Sequence, residues 1–558
     1  MFLKIFLFFL TLLYQTTGYT KTNDEKNFNY KHLSSYFSAL ISFDNQKNNK
    51  ALEFFESSKY LKKKHENFLK EFVYALVLDG QIKKAVNQIK TSKKLKNSKF
   101  FEANLLLVLD LMNKKKYIQA SKIIKNFNIS NENTYEFIIF KTLENFNDLF
   151  KNKKIQNSKN DFGKLGLIVN AFQNCYLNSN KTDSHFLNLI NSAEGDYSRY
   201  LFFYLSNVIE NKDYKTAKQI SKTINPFSST LLISQTKKWI DDKNYKKFNK
   251  HFSCQNENDV LAEFFFLISN LYSSQNIFEI SNFYLSISNY LNPKFYFNLS
   301  LLAENYYDNN NFDISRQIFE KFNSEDEIYY WYKTKKIAQI ISEEKNEKKS
   351  LEYIEKNFLK IKTISPKIIF DLANIYKNFE NYQKAIEYYT QVLNKIDKNS
   401  NMYADVLYRR GGSYERLKNY SKADTDLLMS LKIRPDHAYT LNYLSYSWLE
   451  RNVKIDQAMK MLMRAYELKE NDPYITDSVG WGYYLIGDFV NAEKYLRKAV
   501  ELMPYDPIVN DHYGDVLWQL DRKLQAKYFW KQVLELEDTE DEMKKDIEKK
   551  LIDGPRKI

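Results

Sequence analysis

Glycine, proline and cysteine are what this chain has least of. Its 558 residues include 12 glycines, 8 prolines and 2 cysteines. Scarce glycine and proline argue against a sheet-rich, turn-rich fold and fit an almost wholly helical chain. Two cysteines, Cys175 and Cys254, exclude a disulfide framework and any CxxC zinc site. They can pair with each other, but the expectation is two buried thiols. Beyond residues 5–13 there is no long apolar run, so no second membrane-directed segment is expected. Catalytic spacings are missing as well: there is no HExxH, no P-loop, no GxSxG and no GxGxxG. Gly163 and Gly166 are too isolated to cradle a phosphate. His512, beside Asp511 and near Asp515, reads as a surface or groove histidine with a hydrogen-bonding neighbour. The expectation is no enzyme, no catalytic residue, no metal and no cofactor.

Charge is present, but unevenly. The net charge is +14, yet residues 401–558 hold 25 Lys+Arg against 27 Asp+Glu. The whole positive excess therefore lies in the first 400 residues. Its lysines are scattered, as at 62–64 and 114–116, rather than striped with arginine. In a chain full of Lys, Asn, Ile, Phe and Tyr, this is composition drift rather than a nucleic-acid surface. No nucleic-acid partner is expected.

What the chain has most clearly is a period. Gly411, Ser445, Gly480 and Gly514 are spaced by 34, 35 and 34 residues. Ala423, Ala458, Ala492 and Ala526 are spaced by 35, 34 and 34. Two small-residue columns with one period mean a repeated structural unit. Pro435 and Pro504 fall two repeats apart, and Tyr414 and Tyr483 each follow a column glycine by three residues. Glycine in a helix costs about 1 kcal/mol relative to alanine, which makes sense if two helices cross closely there. The alanines would be the matching small residues on the second helix. Tyr483, Trp448, Tyr495 and Trp530 would fill the space beside the crossing.

Weaker signs of the same unit precede these columns. Ala39 and Ala51 stand twelve residues apart, as do the column residues within one unit, and Phe55 follows. Ala85, Ala120 and Ala217 each sit behind a polar turn. Ser269 and Ala303, and Tyr272 and Tyr306, are 34 apart. A less regular pair covers 327–361, and Ala373, Tyr376, Ala385 and Tyr389 form a good unit. The step from Ala373 to Gly411 is 38, so a polar loop at 397–402 is the expected break between subdomains.

These columns resemble the tetratricopeptide (TPR) family, most specifically over the last four units. The resemblance implies an all-α solenoid of antiparallel helix pairs, stacked as a right-handed superhelix, whose work is to bind proteins. The expected organisation is a signal peptide at 1–18, a flexible leader at 19–32, degenerate helix pairs at 33–395 and well-formed repeats at 403–537. A capping helix and tail follow at 538–558. The signal reading rests on Lys4, the apolar run 5–13 and small residues before a cleavage point after Gly18. An uncleaved segment would leave the chain peripherally attached to a membrane. Either way the expected location is the periplasm or cell envelope.

In TPR proteins the first helix of each pair lines the concave surface. Carried onto this register, the groove residues are Tyr408, Asn442, Tyr446, Asp477, Trp481, Tyr484, Asp511, Asp515 and Trp518, with Glu415, Tyr439 and Tyr474 beside them. About half are expected to be exposed. Aromatics among acids suit a protein or peptide partner. Aspartates at 477 and 511 disfavour the basic clamp by which some TPR modules hold a carboxylate. The runs 442–449, 477–481 and 510–518, with 36–39, are similar to long bacterial envelope TPR proteins. Some of these are adaptors that bring cell-wall hydrolases to a carboxyl-terminal processing protease. That resemblance implies a non-enzymatic adaptor with an envelope protease or cell-wall enzymes as partners. The alternative is a TPR protein that localises or regulates enzymes of surface polysaccharide or cell-wall assembly. The lipid-bearing cysteine of the lipoprotein members is missing here.

Overall fold

The computed structural model describes residues 30–92, 100–126, 134–155, 162–192, 198–322, 324–344 and 346–555. The signal peptide and most of the leader lie outside them. Every regular element among the described residues is helical, so the all-α reading holds. None of these helices is long and apolar enough to cross a membrane.

The chain divides into two compact units, Met1–Ile361 and Lys362–Ile558. The division falls one helix pair earlier than the polar loop at 397–402. That loop only spaces two helices that pack directly on each other, and Ser400 Oγ within it caps the second by accepting from Tyr403 N at 3.1 Å.

Unit 1 opens with α1 (Tyr30–Asp44), which takes in the last residues of the expected leader, and α2 (Asn48–Ser57). Then come α3 (Phe68–Leu78), α4 (Ile82–Thr91), α5 (Phe101–Asn113), α6 (Tyr117–Asn126) and α7 (Tyr135–Asn152). The middle holds α8 (Lys164–Tyr176), α9 (Thr182–Ile190), α10 (Arg199–Glu210), α11 (Tyr214–Thr223), α12 (Leu231–Asp241) and α13 (Lys246–His251). It closes with α14 (Glu257–Ser273), α15 (Phe278–Leu291), α16 (Leu299–Asp308), α17 (Phe312–Phe319), α18 (Glu327–Glu344) and α19 (Glu347–Phe358). Ala51, Ala85, Ala120 and Ala217 are all fully buried on second helices, as their spacing suggests.

Four helices of unit 1 carry long runs of buried residues, which marks them as central rather than surface elements. They are α8, buried from Ala171 to Tyr176, α10, from Phe202 to Ile209, α14, from Val260 to Phe265, and α15, from Ser281 to Ser288. Helices distant in sequence converge on this centre. Tyr117 and Tyr176 both donate to Glu257, at 2.6 and 2.8 Å. Arg199 forks onto Glu263 at 2.8 and 2.9 Å and donates to Asn298 at 2.7 Å. The Tyr74 and Phe283 rings meet at 4.6 Å. Cys175 and Cys254 are joined as a disulfide, which corrects the expectation of two thiols. They are 79 residues apart, and α8 and α14 bring them together: a contact set by the fold, with no local signature in the sequence.

Unit 2 is regular. It holds α20 (Pro366–Asn378), α21 (Tyr382–Leu393), α22 (Asn401–Arg416), α23 (Tyr420–Ile433), α24 (Ala438–Glu450) and α25 (Ile455–Leu468). It continues with α26 (Pro473–Leu485), α27 (Phe489–Leu502), α28 (Pro507–Gln519), α29 (Lys523–Glu535) and α30 (Asp541–Asp553). Pro473 and Pro507 open their helices, where no backbone N–H is needed, behind the capping carboxylates of Asp472 and Asp506. Pro435 and Pro504 lie two residues past the ends of α23 and α27. The column glycines do sit at close crossings, but they face large residues rather than the column alanines. A Cβ at Gly480 would lie 2.6 Å from Leu496 Cγ and 3.0 Å from its backbone N. One at Gly514 would lie 2.4 Å from Trp530 Nε1. Each glycine is thus a hole for a knob four residues beyond the alanine. The solitary α30 begins 34 residues after α28, in register as the first helix of a further pair.

Both units share one turn. Within a pair, the first helix ends in a residue of left-handed backbone: Gln46, Gly80, Lys115, Asn178, Lys212, Lys243, Asn276 and Asn310 in unit 1, and Glu380, Lys418, Asn452, Gly487 and Asp521 in unit 2. The hydrogen bonds are those of a Schellman ending. At the α22 end, Lys418 N donates to Glu415 O at 2.7 Å and Asn419 N to Tyr414 O at 2.9 Å.

Candidate protein-binding face

The first helices of the unit 2 pairs, α22, α24, α26 and α28, carry all nine expected groove residues. None of the nine is exposed. Asp477, Tyr484 and Asp515 are buried, and Tyr408, Asn442, Tyr446, Trp481, Asp511 and Trp518 are half-buried. The expectation that about half would face solvent fails for one physical reason. These positions lie where consecutive first helices pack, and several of them bond to residues of the next first helix in the row.

The bonds form a ladder in which an acid on one first helix accepts from a donor on the next. Tyr443 Oη on α24 donates to Glu415 Oε2 on α22 at 3.0 Å. Trp481 Nε1 on α26 donates to Glu450 Oε1 on α24 at 2.6 Å. His512 Nδ1 on α28 lies 3.0 Å from both oxygens of Asp477 on α26. Lys550 Nζ on α30 reaches Asp511 at 2.7 Å and Asp515 at 3.0 Å, both on α28. His512 therefore pairs across repeats, not with its own neighbours Asp511 or Asp515. Rings reinforce the rungs. Trp481 stacks on His512 at 4.0 Å and on Tyr484 at 4.6 Å, while Tyr408 meets Tyr443 edge-on at 5.9 Å. Trp518 is covered by the chain end: a Cβ on Gly554 would lie 2.4 Å from its indole.

The donors change along the ladder from neutral to charged. At the C-terminal end, burial opposes charge on His512, but Asp477 beside it holds the imidazole above its ordinary value. Burial, then Asp511, pushes the Asp515 carboxyl up to about 7 against the pull of Lys550. These acids are spoken for internally. At the other end, Glu415 and Glu450 accept from neutral phenols and an indole, and Glu450 is exposed. Burial, then Glu450 and Asp477, holds the Tyr446 phenol far above its usual range. The face over α22, α24 and α26 thus combines half-buried Tyr408, Tyr446 and Trp481 with two carboxylates that form no ion pair among the described residues. Asn442 sits among them with its Oδ1 unbonded. Glu450 and Lys550 were not among the expected site residues. Glu450 stands 35 residues after Glu415, a column that was there to be read, whereas the reach of Lys550 depends on packing alone.

Tetratricopeptide repeat models match residues 369–401 and 404–437, the spans of α20–α21 and α22–α23. A TPR repeat-containing protein of Pseudomonas aeruginosa, PA4667, is 32% identical over 91 residues, 16% of this chain and 15% of that protein. The chain thus spans 15% of that relative's length. Among solved structures, a tetratricopeptide repeat protein from Parabacteroides merdae aligns over 45% of this chain and 96% of its own, at 15% identity and a TM-score of 0.38. MamA from Desulfovibrio magneticus RS-1 aligns over 32% of this chain and 97% of its own, at 21% identity and a TM-score of 0.27. The chain carries tetratricopeptide repeats, set in an all-helical array of the kind that binds other proteins.

Proposed function

We propose that the protein is an exported, non-enzymatic adaptor of the cell envelope, and that it grips a basic or polar segment of its partner on the face of α22, α24 and α26. The observation that carries the binding reading is the ladder's asymmetry. Its aspartates are consumed by His512 and Lys550, while Glu415 and Glu450 accept from neutral donors beside Trp481 and Tyr446. Half-buried tryptophan and tyrosine give affinity, and the glutamates select charge. The Cys175–Cys254 disulfide supports the export reading, because such bonds persist in oxidising compartments and are rare in the cytosol. Delivery of substrates to a processing protease is the adaptor role that the sequence resemblance implies.

Two measurements test this. The first is a pull-down from the envelope fraction with the full chain. A protease recovered together with cell-wall hydrolases supports the adaptor; enzymes of glycan synthesis support the alternative role of localising such enzymes. Trp481→Ala should weaken capture by about 2 kcal/mol, whereas Trp518→Ala, placed under the chain end, should change melting and not capture. If Trp481→Ala leaves capture intact, the face is wrong. The second is thiol alkylation of the native protein without reduction. Export predicts a protected cysteine pair and loss of the first residues near Gly18. Two alkylated thiols on a chain with Met1 intact would sink the export reading.

A further inference from the structure

A second surface of unit 2 lies on the edge where one repeat passes to the next, away from the ladder. It is a cleft of about 620 Å³ lined by Tyr474 at the start of α26, Leu502 to Ile508 between α27 and α28, and Asp538, Glu540 and Met543 at the entry to α30. Three of its apolar residues are strongly exposed: Tyr505 by 76%, Tyr474 by 57% and Ile508 by 55%. Exposure of this size in one hollow is unusual for side chains with no binding role. The walls are braced from behind. Asn510 Nδ2 donates to Pro504 O at 2.9 Å and to Asp506 O at 2.8 Å. Buried Thr539 donates from Oγ1 to Val533 O at 2.6 Å. Pinning Thr539 turns its two neighbours, Asp538 and Glu540, outward to solvent.

The rim has one sign. Five of the six residues at 537–542 are acidic, all five are exposed, and none of them forms an ion pair among the described residues. An apolar hollow edged on one side by the unpaired carboxylates Asp538 and Glu540 selects its occupant by charge as well as by shape. We propose that this cleft docks a basic segment with a single large apolar anchor, the anchor entering among Tyr474, Tyr505 and Ile508 and its flanking lysines or arginines meeting Asp538 and Glu540. The site is separate from the face of α22, α24 and α26 and does not depend on it.

The test uses the full chain and three fluorescein-labelled peptides: Lys-Lys-Phe-Lys-Lys, the same peptide with serine for phenylalanine, and the same with glutamate for lysine. Fluorescence anisotropy reads binding in low and high salt. The first peptide should bind at least about tenfold more tightly than the other two, and its affinity should fall as salt rises. Tyr505→Ser and the double variant Asp538→Lys/Glu540→Lys should each weaken it about tenfold. All three positions are exposed, so melting should be unchanged. Trp481→Ala should leave this binding as it was. Equal binding of the phenylalanine and serine peptides, no binding of the first, or indifference to both cleft variants would each overturn the proposal.

Discussion

Unit 1 and unit 2 are built from the same helix pairs joined by the same left-handed turn, yet only unit 2 shows its repeat as unbroken columns in the sequence. In unit 2 each pair touches its neighbours and little else, so each position meets the same surroundings every 34 or 35 residues. The same small residue is then wanted each time, as at Gly411, Gly480 and Gly514. In unit 1 the chain returns on itself. Arg199 needs Glu263, Tyr117 needs Glu257 and Cys175 needs Cys254, and each tie is made once. A residue that answers to a unique distant partner cannot belong to a column. Periodicity in sequence therefore reports nearest-neighbour packing, and its loss reports closure rather than a change of fold.

The sharpest way to break this comparison is to cut a tie in unit 1. Arg199→Met leaves Glu263, which is 1% exposed, charged and unpaired at the centre. The expected loss is about 3–5 kcal/mol, because a buried charge deprived of its partner keeps its desolvation cost. The double variant Arg199→Met/Glu263→Met should recover most of it. Hydrogen exchange of α10 and α14 reads the effect. If the double variant is as unstable as the single, the pair is not the isolated tie described.

A smaller loss is expected in unit 2 from Gly480→Leu. The added side chain meets Leu496 and its backbone, an overpacking that costs about 1–3 kcal/mol. Exchange should rise in α26 and α27 and spread only to adjoining pairs, as nearest-neighbour stacking requires. An unchanged melting temperature would show that the crossing is looser than the glycine implies.

The smallest effect is a pH dependence at the end of unit 2. Asp515 titrates near 7 when folded and near 3.9 in an unfolded chain, and His512 is held above its ordinary value. Folded unit 2 thus binds more protons than the unfolded chain. Stability from His512 is complete in acid and lost as pH rises through its folded pKa. The cost of ionising Asp515 grows from about pH 4 and levels off above 7. Both lower stability as pH rises. Asp515→Asn should shrink the fall in melting temperature between pH 5 and 8 by a few degrees. An identical pH profile in the variant would refute the assignment.

Much of the fold was legible. The two small-residue columns locate every pair from α22 to α29, and isolated alanines locate second helices as early as α2. The nine expected groove positions fall on the first helices of their pairs, but not on free surface. Their spacing shows which face of a helix they share, not whether the next helix covers that face. The ladder needs both helices at once: Asp477 looks like a ligand-selecting acid until His512 arrives against it from 35 residues away. The disulfide was illegible for the same reason, since no local pattern marks the place where α8 meets the approach to α14.

The shared turn also bears on how this protein can be altered. Of its thirteen left-handed positions among the described residues, Gly80 and Gly487 hold the residue that adopts that backbone freely, while lysine holds four, at 115, 212, 243 and 418. A side chain there costs about 1 kcal/mol or more relative to glycine. A lysine- and asparagine-rich composition has thus left conformational strain in almost every hairpin. It is spread thinly and regularly, and at Lys115, Lys212 and Lys418 it lies on solvent-exposed side chains. The result is a reserve of thermal hardening that can be drawn on one hairpin at a time, with glycine at the turn, while the binding surfaces and the cores keep their present form.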